Sequence, residues 1–278
     1  MRRPNKSSFA VLVVAVLLAA ALPLGAFPQK MMMCLPGFPG TTSQAQPLVD
    51  QLLRFLEADL SLEAQSISGV YLSDDAEASE KLPVLKPGLA VVGPSVYARF
   101  VGPLKMKVIA KVEASGRGSD TYYVLVRKDG PASLSALSGQ SVAVTGISDS
   151  QYVYNVMLDR KLPANALKLS TPKRPMKALR DLHQGVLQAV IIDQAIHDSL
   201  RELPFADDLH VIHTSKPVPA PAVVVMGQTP AEAQRIGTAL LSLCTTTEGK
   251  ALCSALSISS IRKASDADYA DLLKRYRK

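Results

Sequence analysis

The chain has 278 residues, 47% hydrophobic and 20% charged, which is enough apolar material for one large or two medium folded units and too much for a mostly disordered protein. Its one long apolar run lies at the N-terminus, which excludes a multispanning membrane protein. The formal charge of +7 is carried in part by that terminus: without Arg2, Arg3 and Lys6 the excess falls to +4, too small and too scattered for a protein that grips phosphate backbones.

Residues 1–26 read as an export signal, with a basic start, the apolar run Phe9 to Leu22 and a small-residue exit ending at Ala26, after which cleavage is expected. Leu24 fits the usual small-residue pattern poorly, so an uncleaved N-terminal anchor is the alternative. The body then alternates strands and helices. Lys30 to Leu35 is a strand ended by the turn-rich PGFPG, and Pro47 to Leu60 is a helix with Leu48, Leu52, Leu53, Leu56 and Leu60 at helical spacing and Pro47 in its first turn. Ile67 to Leu72 is a strand, Asp74 to Lys81 a short helix, and Leu89 to Val92 a strand that stops at Gly93-Pro94. Strands separated by helices imply parallel crossovers and a sheet covered on both faces.

Val108 to Ala114 and Thr121 to Lys128, joined by the Gly-rich SGRGSD, read as a pair of longer strands leaving the first sheet. A second α/β unit follows: strand Ser141 to Thr145, helix Gln151 to Asp159, strand Ala166 to Ser170, helix Pro175 to Gln184, and strand Val186 to Ile192 ending at Asp193. After another helix, Leu209 to His213 and Ala222 to Met226 are strands around the PVPAP run, whose prolines suit edge or connecting positions. Helices at Ala231 to Leu243, Glu248 to Leu256 and Ser265 to Arg277 close the chain, the last with acidic residues at its start and the basic cluster Lys274, Arg275, Arg277 and Lys278 at its end.

Chemistry-bearing motifs are sparse. No GxSxG, P-loop or HExxH occurs, the four histidines are scattered, and no cofactor, metal site or enzymatic activity is expected. Cys244 and Cys253 would lie ~13 Å apart on one continuous helix, so a disulfide between them requires a break at Gly249 or just before it. Cys34 reads as an inert core thiol.

The order of elements, together with VVGPSVYARF (Val91 to Phe100), YYVLVRKDGPASLSALSGQSVAVTG (Tyr122 to Gly146), LHQGVLQAVIIDQ (Leu182 to Gln194) and the closing TEGKALCSALSIS and DADYADL, resembles the two-lobed, type 2 periplasmic solute-binding proteins, closest to those of phosphate, phosphite and phosphonate ABC transporters. The resemblance implies an α/β fold of two lobes, each a mostly parallel sheet flanked by helices, with the ligand cleft between them. Lobe 1 would comprise residues 27–120 and 215–278, and lobe 2 residues 121–214. It also implies a periplasmic, non-enzymatic, monomeric protein that captures a small polar, phosphate- or phosphonate-like ligand for an ABC permease. The alternative is a membrane-associated sensor that signals to a partner without transport. Nucleic acid is no partner.

In such a fold ligand groups come from turns at strand C-terminal ends. The candidates are Thr41 and Thr42 after the first strand, Gly93, Ser95 and Tyr97 after the third, Thr145, Ser148 and Ser150 around SVAVTG, and Asp193 after AVII. The turn TGISDS feeds a helix N-terminus and so suits an oxyanion. Asp149 departs from the family pattern there, because a carboxylate repels a dianion and can itself take the N–H groups; ligand contact and simple helix capping both stand as readings of Ser148, Asp149 and Ser150. No Arg falls in these turns.

Overall fold

The computed structural model describes residues 27–35, 41–73 and 75–277, so the expected leader and the PGFPG loop lie outside the described residues. Strands are numbered in chain order. β1 (Lys30–Cys34), β2 (Ser68–Leu72), β3 (Leu89–Val92), β4 (Lys107–Ala114), β12 (Ala222–Val225) and β13 (Ile258–Lys263) form a six-stranded sheet in the order β13-β4-β12-β3-β1-β2. β6 (Tyr123–Arg127), β7 (Ser141–Val144), β8 (Lys168–Ser170), β9 (Ala189–Ile192) and β10 (Leu209–Thr214) form a second sheet in the order β10-β6-β9-β7-β8. The short β5 (Ser119–Asp120) and β11 (Val218–Pro219) pair antiparallel where the chain crosses between the two.

Both sheets are mixed in pairing. β1 runs parallel to β2 and β3, and β7 runs parallel to β8 and β9, whereas β12 and β6 are antiparallel to both of their neighbours. These two are the first strands after each crossover. A chain entering a lobe from the cleft meets the sheet at the end where its other strands finish, and so must run against them. The longer-strand pair expected from the sequence is corrected: β4 sits inside the first sheet between β12 and β13, β6 sits inside the second, and neither pairs with the other. Val124, Leu125 and Val126 on β6 are consecutive and all buried, which requires a sheet covered on both faces, while β4 buries the alternate residues Val108, Ala110 and Val112 within the first sheet; the two residues of β5 suffice for the crossing.

Alternation places the strand residues on two cores. On β1, Met31 and Met33 face α1 (Thr42–Asp59), α7 (Pro230–Leu243) and α8 (Thr247–Ala255), while Met32 and Cys34 face the opposite layer. That opposite core runs across both lobes, from Met32, Val92 and Tyr97 to Val144, Tyr152 and Val156. A third cluster packs α5 (Pro175–His183) on the outer face of the second sheet.

Several helix boundaries differ from the sequence reading, among them α2 (Asp75–Leu85), which runs past Lys81. α1 begins at Thr42, ahead of Pro47, because Thr41 and Gln44 form a reciprocal capping box. The helix expected at Gln151 to Asp159 is a short α4 (Ser150–Tyr152) continued by a π-helix (Val153–Met157). The closing helix is a 3-10 turn (Asp266–Tyr269) followed by α9 (Ala270–Arg277). Gly93-Pro94 does more than turn: Pro94 occupies the first turn of α3 (Pro94–Phe100), where its missing N–H costs nothing. β13 carries no strand signal in the sequence, because ISSIRK buries only Ile258 and Ile261 on an edge strand.

Candidate functional site

Between the lobes lies a cavity of about 260 Å3. The six-stranded sheet contributes Gly93, Val112 and Ala114, the second sheet Thr145, Ile147 and Asp193, and the crossovers Arg117, Asp120, Tyr122 and the Pro219 to Pro221 run. Strand C-terminal ends from two sheets thus converge with the hinge on one hollow, as expected at a topological switch point.

Its polar groups are fixed by local structure. Asp193 ends β9 and caps α6 (Gln194–Ser199), its Oδ1 accepting from the Ile196 N–H at 2.8 Å. Asp120 Oδ1 accepts from the N–H groups of Thr121 at 2.7 Å and Gln194 at 3.1 Å. Burial raises both carboxyls, that of Asp193 to about 6; the Asp120 charge adds to the rise at Asp193 and the Asp198 charge to that at Asp120, while Arg117 lowers both. Arg117 faces the same hollow and is held by Asp198 at 2.9 Å. Thr145 is buried and donates to the Ile191 carbonyl at 3.1 Å. Burial keeps the Tyr122 hydroxyl protonated, its pKa pushed well above the ordinary value. The charges facing the cavity are therefore two carboxylates and one guanidinium already paired.

The sequence candidates distribute unevenly. Gly93, Thr145 and Asp193 line the cavity. Thr41 and Thr42 are exposed at the start of α1, where the Thr41 side chain accepts from the Gln44 N–H at 3.4 Å, and neither lines the cavity. Tyr97 is wholly buried against Tyr269, ring centroids 4.8 Å apart, and Ser95 is buried with its Oγ donating to Asp75 at 3.0 Å. Ser148 reaches across the cleft to Asp75, and Ser150 is exposed as the first residue of α4. Asp149 acts as a cap: its Oδ1 accepts from the Tyr152 N–H at 3.1 Å, while its Oδ2 accepts from the Tyr276 hydroxyl at 2.8 Å. Sequence reasoning missed Arg117 and Asp120. The available signal was SGRGSD itself, a polar Gly-rich stretch between two buried strands, which had to lie at the crossover and hence at the cleft. Among the described residues no cluster of His, Cys, Asp and Glu could hold a metal ion.

Two α/β lobes, two crossovers and a cavity between the lobes define a periplasmic binding protein of the two-lobed, type 2 class. The chain belongs to the family described as "ABC transporter, phosphonate, periplasmic substrate-binding protein", whose model matches residues 39–269. Solved structures that share the fold include the following three. XAC2383 from Xanthomonas citri bound to ATP has a TM-score of 0.70 at 16% identity, over 89% of this chain and 96% of its own. A binding protein component of an ABC phosphonate transporter from Pseudomonas aeruginosa scores 0.65 at 14% identity, over 89% and 85%. PhnD1 from Prochlorococcus marinus, in complex with methylphosphonate, scores 0.65 at 11% identity, over 90% and 97%. No curated protein matches the sequence. No helix among the described residues is long and apolar enough to cross a membrane.

Proposed function

We propose that the chain is exported by its N-terminal signal, binds one small polar solute in the cavity between lobe 1 (residues 27–120 and 215–278) and lobe 2 (residues 121–214), and presents it to an ABC permease. Family membership supports the transport role. The observation that carries the ligand reading is the pair of partly buried carboxylates, Asp120 and Asp193, facing a cavity whose one guanidinium is paired with Asp198. The Asp120 charge raises the Asp193 carboxyl beyond the effect of burial, and a cationic group beside the two carboxylates relieves that repulsion, whereas a phosphate dianion adds to it. The ligand is accordingly a solute that carries an ammonium or similar cation. The cavity of about 260 Å3 lies below the roughly 300–1,000 Å3 of drug-sized sites, so the solute is small.

A thermal-shift screen against amino acids, small amines, phosphate and phosphonates tests this. Saturation at 100 times the dissociation constant stabilises the protein by about 2.7 kcal/mol. Cationic solutes should raise the melting temperature at pH 7.5 and lose affinity as the pH falls through about 6, where Asp193 takes up its proton. Stabilisation by simple phosphonates alone would overturn the cationic reading while leaving solute capture intact.

A further inference from the structure

The turn after β7 is where an oxyanion is expected, and the chain fills it from within. Asp75, at the start of α2 (Asp75–Leu85) beside the first sheet, is 3% exposed. Its Oδ1 accepts from Ser95 Oγ at 3.0 Å; its Oδ2 accepts, across the cleft, from both the backbone N–H of Ser148 at 3.1 Å and Ser148 Oγ at 2.7 Å. One carboxylate oxygen taking two donors from a single residue of the opposite lobe is the arrangement a bound anion would make there. Asp149, one residue on, directs its own carboxylate to the Tyr152 N–H and the Tyr276 hydroxyl, so it does not compete for these donors.

The geometry points to Asp75 as the resident anion of this turn, a specificity-determining residue that draws the lobes together and keeps phosphate and phosphonate oxygens off the Ser148 donors. This rests on the reading that the cleft holds a solute, and it accounts for how such a cleft closes without an anionic ligand. In a lobe-closing protein the incoming ligand ordinarily supplies the contacts that favour the closed state. Here a side chain of one lobe supplies part of them to the other, and the carboxylates that line the cavity are left to select the solute.

Three proteins decide it: the wild type, Asp75→Asn and Ser148→Ala, each measured by small-angle scattering without ligand and by calorimetry with inorganic phosphate. The wild type should scatter as the closed form and give no phosphate-binding heat. Asp75→Asn should show a larger radius of gyration and gain phosphate affinity by about tenfold or more, as expected when a like charge is removed from a bound anion. Ser148→Ala, which alters an exposed side chain and should leave the fold intact, should open the lobes in the same direction without gaining phosphate. The proposal is overturned if the folded variants scatter like the wild type, or if the wild type binds phosphate as tightly as Asp75→Asn. Should Asp75→Asn not fold, a Ser148→Ala protein as closed as the wild type overturns it alone. A wild type stabilised by no solute in the screen above would instead refute the solute-binding reading, and the scattering comparison would still report on Asp75.

Discussion

At Asp193 one side chain has two tasks that pull against each other. As the cap of α6 it stabilises the helix by accepting from the Ile196 N–H, and as a partly buried carboxylate near Asp120 it is costly to ionise. Its native pKa of about 6 lies above the ordinary 3.8, so between those values the folded protein holds a proton that the unfolded chain has released. The stability this group contributes is full below about pH 4 and is lost as the pH rises through about 6. A shift of about two units corresponds to on the order of 2 to 3 kcal/mol. Asp193→Asn, which keeps a capping oxygen, should raise the ligand-free stability at pH 7.5 by on the order of 2 kcal/mol and flatten the melting temperature between pH 4 and 7. Identical melting profiles for the two proteins across that range would mean that Asp193 is solvated in the folded state.

Among the elements, the corner between α7 and α8 shows how a covalent tie and a single glycine work together. α7 ends at Leu243 with Cys244 as its cap, Thr246 caps α8, and the Cys244–Cys253 disulfide closes the corner across nine positions. Gly249 makes the corner possible, because a Cβ there would stand 1.7 Å from the Leu243 carbonyl oxygen. Gly249→Ala must push the two helices apart and should cost at least about 2 kcal/mol, read by urea denaturation. Reduction of the disulfide should cost roughly 2 to 3 kcal/mol, lowering the melting temperature without abolishing the fold, and the denatured unreduced protein should show one reactive thiol, that of Cys34. Three reactive thiols would show that the bridge does not form in solution.

For the whole molecule, the C-terminal segment ties one lobe to the other. Tyr269 packs on Tyr97 of the first lobe and donates to the Ala220 carbonyl at 2.7 Å. One helix later Tyr276 donates to Asp149 of the second lobe, and its carbonyl accepts from Gln151 at 2.9 Å and Asn155 at 2.8 Å. Arg275 adds a bond to the Pro217 carbonyl at 2.7 Å, beside the crossover. α9 therefore spans both lobes on the side of the Asp75–Ser148 contact. Tyr276→Ala should cost about 3 kcal/mol through the lost packing and hydroxyl bond, and Tyr276→Phe about 1 kcal/mol. Equal effects of the two substitutions in urea denaturation would show that the ring contributes nothing beyond its hydroxyl.

Much of this molecule follows from its sequence alone. The alternating strands and helices, the two α/β units and the family resemblance were all legible, because buried strands such as LAVV, SVAV and AVII and amphipathic helices such as α1 announce themselves through local periodicity. Gly93, Thr145 and Asp193 could be named as cavity residues because a turn at a strand end is also a local feature. What only the tertiary structure decided depends on groups far apart in the chain. Asp75 meets Ser148 across 73 positions and Tyr276 meets Asp149 across 127, and no local pattern marks such partners. Likewise Thr41 and Ser150 have the residue types of ligand contacts, yet the backbone N–H groups of α1 and the exposed start of α4 determined where they lie. Spacing along the chain sets which face of an element is apolar; which charge meets which donor is settled only when the lobes dock.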